Sequence, residues 1–486
     1  MKRSVGYIVK SGFAVFLASS AMLAAAQEPT LRILSISVEQ NDLYRELEQA
    51  FQEEYPQWTI QFETLSQDAF NQSLPLSFES GNAPDLILHD LGAPLSELLE
   101  NGWLSPLASG KDIPEEWFDR FPPNSFVEGH NMVDGVPFGV PLNEQDIQGY
   151  GYMYYNNEVL NASGVDPSTE IPTTWSELLE VCERVKAGGF SCFSASFNEP
   201  DQTIRWWLPF TAVGETQSPM NYRTGNFSYA DPARLRAWEL LKTLYDNEHF
   251  IPGVESTDRD TSRQIFALGQ AAFYMDGSWM PSVFRTGMGF EDLDYGVAAV
   301  PVPDDGVQGK LSKSLMPSRL YVTSQVSDPE AAWAFVEWLT RPEGPYAQGF
   351  VGGGFGFLSF TDNSLWVDPE DEVLQTLVSI GQDGYRVFEP VPLLACSDMA
   401  QSTALQDALE ATSLPNEVES VIEALVTNQD WAQEAEQHAE ERQRIFEANL
   451  ENERAEGLNV SADYYTYPNW EFDTDFDYRV YPLCEQ

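Results

Sequence analysis

Adjacent Tyr154 and Tyr155 could offer two phenolates to a ferric ion, but the stretch they lie in alternates as a strand does, which sends the two rings to opposite faces. The four histidines are scattered, and neither a metal-binding His pair nor a nucleophile elbow nor a Ser-His-Asp arrangement is present. Acids are so frequent, 76 Asp and Glu against 26 Lys and Arg, that a carboxylate pair suited to glycoside hydrolysis carries no information. Polar side chains also stand directly after strand-like runs, where they could meet a ligand or merely be solvated. Glu39 and Gln40 follow one such run, and Asp90 follows another. No metal, cofactor or catalytic residue is expected.

The elements that must position these groups are legible from periodicity. Leu31-Arg32-Ile33-Leu34-Ser35-Ile36 alternates as a strand, and Leu43, Leu47, Ala50 and Phe51 then recur at helical spacing. Trp58 to Phe62 alternates again, and Asp85 to His89 is a short apolar run after the turn signal Gly81-Asn82-Ala83-Pro84. Alternating strands and helices predict an α/β fold with a largely parallel sheet and helices on both faces. Ligands bind such sheets at the carboxyl ends of the strands, which points to the loops Ser37–Asn41 and His89–Pro94. Farther on, Thr174-Trp175-Ser176-Glu177 reads as a capping box, and Asp231-Pro232 opens a helix with Leu235, Trp238, Leu241 and Tyr245 on its buried side. A third helix carries Ala332, Phe335, Val336 and Leu339, and the aromatics of all three belong to the core. Asp430 to Glu456 reads as a solvated helix. The tail beyond it, with Tyr464, Tyr465, Tyr467, Trp470, Phe472, Phe476 and Tyr478, is expected to wrap over the body; a carbohydrate-binding strip is the alternative.

Residues 1–26 read as a cleaved export signal: Lys2, Arg3 and Lys10 form a basic start, Gly12 to Leu23 an apolar run, and Ala24-Ala25-Ala26 a small-residue cleavage site. With Gln27 and no Cys at that point, a free periplasmic protein is expected, not a lipoprotein. A chain of 486 residues exceeds what one core supports, so two domains are expected. Its net charge of −50 repels nucleic acid and anionic membranes. With seven Lys and acids spread throughout, the chain is similar to proteins of concentrated salt, and its stability should rise with salt. Four cysteines in an exported chain allow three pairings; Cys182 with Cys192 and Cys396 with Cys484 are expected, the second stapling the tail to the body.

Five segments, in order, resemble the extracellular solute-binding proteins of ABC importers, in the branch with maltose-, multiple-sugar- and glycerol-phosphate-binding members. They are Gly81-Asn82-Ala83-Pro84-Asp85-Leu86 with Gly102-Trp103-Leu104; Asp134-Gly135-Val136-Pro137-Phe138-Gly139-Val140-Pro141; Tyr154-Tyr155-Asn156-Asn157 with Pro172-Thr173-Thr174-Trp175; Phe266 to Phe273 with Gly277-Ser278-Trp279; and Ala331 to Glu343. The likeness runs from about residue 30 to 425. It departs from the family at Met316-Pro317-Ser318-Arg319 and at Gly352 to Phe357, both at the rim of the family's ligand cleft.

The resemblance implies a two-lobed periplasmic-binding-protein fold of the Venus-flytrap kind, type II-like, with hinge crossovers and a C-terminal helical extension. Lobe one would comprise 27–144 and 319–356, lobe two 147–316 and 357–430, with 431–486 an extension packed on lobe two. It implies a monomer that binds a sugar or oligosaccharide between the lobes and delivers it to an ABC permease. Binding of glycerol phosphate or another small polar solute, a secreted carbohydrate-active enzyme, and a receptor for a membrane sensor are the alternatives. A sugar needs an aromatic platform and fixed polar groups. Trp279 matches the family's platform and Asp90 a hydroxyl-binding carboxylate, joined by Glu39, Gln40, Asn143, Glu144 and Asp146, by Arg319 for an acidic group, and by Tyr152, Gly354 and Phe355.

Overall fold

The structure, a computed structural model, describes residues 30–147, 149, 151–199, 207, 209–212, 218–306, 309–313, 315–396, 398–411 and 413–476. The expected leader and Cys484 lie outside them. The chain builds two α/β lobes, each around its own sheet. In the first, β1 (Thr30–Ser35) lies between β2 (Thr59–Thr64) and β3 (Leu86–Ile87) and is parallel to both. The connection from β1 to β2 is α1 (Asn41–Glu54), which buries Leu43, Leu47 and Phe51, the positions at helical spacing. Beyond β3 come β10 (Leu320–Thr323) and β4 (Leu104–Ser105), and β5 (Gly139–Val140) also pairs with β10.

Strand β10 runs antiparallel to β3, β4 and β5, so this sheet is mixed where strand–helix alternation predicts a largely parallel one. The route of the chain explains the difference. β10 returns from the second lobe and enters at the edge where β1 and β3 leave, so it points the other way.

The second sheet has the order β9 (Tyr295–Ala299), β6 (Tyr152–Asn156), β8 (Ala271–Asp276), β7 (Ser191–Ser194). β6 is antiparallel to β8 and β9, and only β7 and β8 run parallel. Tyr154 joins the apolar core shared with the first sheet, and Tyr155 packs against the core on the other face, as strand alternation requires. Helix α2 (Trp175–Ala187) starts with the predicted capping box, Thr174 with Glu177, and Cys182 on α2 is bonded to Cys192 on β7. Cys396 is also disulfide-bonded.

Packed in the core of the second lobe are α3 (Pro232–Asp246), with Trp238 and Leu241 buried, and α7 (Glu417–Thr427), which contacts α3. Between them, α4 (Arg259–Ala267) leads into β8, while α5 (Pro329–Leu339) and α6 (Pro345–Gly352) return to the first lobe. The helix read as solvated is α8 (Trp431–Glu456), and it differs from that reading. Trp431, Ala435, Arg442, Phe446 and Leu450 form one buried stripe against the second lobe. The stripe is narrow and includes an arginine, so the many Glu and Gln on the remaining faces mask it in the sequence. Past α8, Tyr467, Trp470 and Phe472 form a small cluster against Tyr222, and the Phe476 N–H donates to Phe388 O at 2.9 Å.

Where the chain passes between the lobes, its segments pair with one another. The Glu144 N–H donates to Phe357 O (2.9 Å), the Ser359 N–H to Leu142 O (2.8 Å) and the Arg319 N–H to Val140 O (2.9 Å).

Candidate functional site

The carboxyl ends of β1 and β3 open on a cavity of about 250 Å3 beside these crossovers. Ser37, Glu39, Gln40 and Tyr44 reach it from the turn after β1 and the first turn of α1. Leu88 and His89 come from the end of β3, and Leu142 and Asn143 from the first crossover. Arg319 lies just before β10, and Tyr346, Phe350 and Phe355 come from α6 and the turn after it. From the second lobe, Trp279 closes the space.

Trp279 is held by the end of β8. The fully buried Asp276 carboxylate accepts the Gly277 N–H at 2.8 Å, Arg263 Nη2 from α4 at 2.8 Å and the Tyr274 hydroxyl at 2.9 Å. That fixes the turn which carries the indole, a charge-assisted arrangement stronger than neutral pairs. The indole lies across Gly277, where a Cβ would come within 2.3 Å of the ring. Phe355 lies likewise over Gly353, so both aromatics depend on a preceding glycine for their pose.

On the opposite wall, the Tyr44 hydroxyl donates to Gln40 Oε1 at 2.9 Å and meets Ser35 Oγ at 2.8 Å, while its ring stacks on Phe62 at 4.3 Å. The amide oxygen of Gln40 is thereby engaged, which leaves its NH2 hydrogens as donors. Burial pushes the Glu39 carboxyl above its usual range. Burial, helped by the Arg319 guanidinium, pushes His89 down to about 4, so the imidazole is neutral at pH 7. Arg319 itself stands apart. Among the described residues its guanidinium makes no hydrogen bond or ion pair, and its Nε is shielded from solvent.

Of the residues singled out from the sequence, Glu39, Gln40, Asn143, Trp279, Arg319 and Phe355 meet at this cavity. Five others do not line it. Asp90 Oδ1 accepts the Gly92 N–H (2.9 Å) and caps its own turn. Glu144 accepts the Asp146 N–H (3.3 Å), and Asp146 pairs with Lys313 at 2.8 Å, so both serve the crossover. Tyr152 is fully buried and donates to Ile147 O (2.7 Å). Gly354 accepts the Ser282 N–H at 3.2 Å, a contact between the turn after α6 and the segment after Trp279. Sequence reading missed Tyr44, His89, Tyr346 and Phe350 as individual residues. The signal for Tyr44 was its place one helical turn after Gln40, and His89 sits inside a loop already marked by the strand-end rule.

A larger hollow of about 440 Å3, lined by Arg285, Asp294, Asp371 and Glu372 among others, touches none of the crossovers.

A family model described as "Bacterial extracellular solute-binding protein" matches residues 46–368, well over half of the chain. The chain belongs to that family. A Brucella abortus relative, named only as a binding protein, is 24% identical over 330 residues, 67% of this chain and 74% of that one. The maltotriose-binding protein of Pyrococcus abyssi is 23% identical over 309 residues, covering 61% of this chain and 60% of its own. Among solved structures, this solute-binding protein shares its fold with the GacH receptor of Streptomyces glaucescens, determined unliganded and with acarbose. The TM-score is 0.64 at 17% identity, over 86% of this chain and 99% of that one. Maltose-bound MalE3 of T. maritima is similar, with a TM-score of 0.63 at 18% identity over 86% and 100% of the two chains. The binding protein thus has the two-lobed fold expected from its motifs, and the cavity lies where its two lobes meet.

Proposed function

We propose that this protein binds a small sugar in the cavity between its lobes and hands it to an ABC permease without converting it. The observation that carries the reading is the pairing of an indole from one lobe with polar side chains at the strand ends of the other. A sugar has an apolar face and a rim of hydroxyls, and such a wall matches both. The relative named for maltotriose, and the solved neighbours with acarbose and maltose, favour the same class. At about 250 Å3 the space suits one or two sugar rings more than a long chain. We further assign 27–144 and 319–356 to lobe one, 147–316 and 357–430 to lobe two, and 431–486 to an extension. The protein acts as a monomer in the periplasm after removal of residues 1–26. The Ala24-Ala25-Ala26 site followed by Gln27 supports a free protein, not a lipid-anchored one.

The test is calorimetry across mono- and disaccharides, with small-angle scattering on each binder. A ligand that stabilises the closed form shrinks the radius of gyration. Trp279→Ala should weaken binding roughly tenfold to a hundredfold while the melting temperature stays within a few degrees. Unchanged scattering with every sugar, or release of a chemically altered sugar, would contradict the reading.

A further inference from the structure

The guanidiniums of Arg263, Arg234, Arg120 and Arg341 are paired with carboxylates, and Arg442 donates to backbone carbonyls. Arg319 has neither kind of partner among the described residues, yet it is only partly exposed, with Nε buried. The Nε of such an arginine has lost hydration without gaining a hydrogen bond, which is unfavourable unless something else supplies an acceptor, and its Nη groups have no protein acceptor among the described residues. None of the described neighbours pairs with it: His89, Tyr321 and Tyr346 are uncharged at pH 7, and the Asp90 carboxylate, which acts on His89 and Tyr321 as Arg319 does, accepts from Gly92 and makes no ion pair with the guanidinium. Glu39 lines the same cavity, but the cation acting on it is Arg263, not Arg319.

Resting on the sugar-binding reading, we infer that the ligand is an acidic sugar whose carboxylate pairs with Arg319 while its ring lies against Trp279. A planar guanidinium presents paired N–H donors that match one carboxylate in two parallel hydrogen bonds. A uronate brings one negative charge, which one arginine balances. A phosphorylated sugar brings nearly two, and the described residues lining this cavity include no lysine and no second arginine to meet them, with the Glu39 carboxyl on its wall. The protein's overall charge of −50 also works against a dianion and less against a monoanion. The remaining wall, with Gln40, Asn143 and the aromatic rings, is that of a sugar site, so the acid selects among sugars and does not replace them.

The experiment titrates the full mature chain with galacturonate and glucuronate, with galactose, glucose and maltose, and with glucose 6-phosphate. Wild type and R319Q are compared, each checked for cooperative melting. The expected result is a uronate bound at least about tenfold tighter than its neutral parent, with that ratio falling towards one in R319Q. Neutral sugars bound as tightly as uronates by wild type would overturn the acidic-sugar inference and leave sugar binding standing. Preference for the sugar phosphate would overturn the carboxylate class. A ratio that survives in R319Q removes Arg319 from the recognition. A folded wild-type protein that binds no sugar of any kind overturns both this inference and the function on which it rests.

Discussion

His89 shows how one side chain couples the cavity to stability. Its folded pKa, about 4, lies below the ordinary histidine value of 6.5, so the folded state holds fewer protons than the unfolded chain in that interval. The stabilisation is fully present above pH 6.5 and is lost as pH falls towards 4, an effect on the order of 2–3 kcal/mol. Burial of Glu39 and Glu144 raises their carboxyls and works in the opposite direction, since a folded state that holds an extra proton gains as pH falls. The comparison that isolates the histidine is therefore His89→Gln against wild type. Urea midpoints of wild type should drop more steeply than those of the variant between pH 6.5 and 4; parallel curves would show that His89 does not carry the difference.

At the scale of elements, α8 holds the second lobe together through an unusual residue. Arg442 is 1% exposed and donates to the carbonyls of Ala408, Leu414 (3.2 Å) and Pro415 (2.8 Å), thereby satisfying the chain between residues 408 and 415. Nearby, Arg234 on α3 pairs with Glu417 at the start of α7, and both are buried. Arg442→Ala leaves those carbonyls unpaired and opens a space beside Phe446, so it should destabilise the protein by about 2–4 kcal/mol in urea denaturation. A loss below about 1 kcal/mol would mean that the carbonyls find water instead. Between α2 and β7, the Cys182–Cys192 bond closes a short loop with a sequence separation of 10. Its selective removal by Cys182→Ser with Cys192→Ser should lower stability by about 2–3 kcal/mol.

For the whole molecule, charge is the dominant quantity. A surface carrying −50 repels itself in dilute buffer, and added salt shortens the range of that repulsion from about 10 Å at 0.1 M to about 3 Å at 1 M. Calorimetric melting should shift upward by at least about 5 °C between 0.1 M and 2 M NaCl. No shift would mean that the acids are already compensated by the fold. The lobes meet through paired crossovers, Glu144 with Phe357 and Leu142 with Ser359.

The sequence by itself determined the local pieces, because their signals are local. The capping box at Thr174 and Glu177, the apolar stripe of α1, the opposite faces of Tyr154 and Tyr155, and the polar residues at the ends of β1 and β3 all follow from spacing along one stretch of chain. Ordered motifs added the two-lobed fold. Only the tertiary structure decided what depends on distant segments meeting. The reversed direction of β10 comes from its return across the crossover, and the burial of α8 comes from the groove it fills beside α3 and α7. Tyr44, His89, Tyr346 and Phe350 gather around one space because the start of α1, the end of β3 and α6 converge there. Asp146 is taken by Lys313 and Asp90 by its own turn, whereas the Arg319 guanidinium is left without a partner among the described residues; no pattern in the sequence separates these cases, since pairing is a property of neighbours in space.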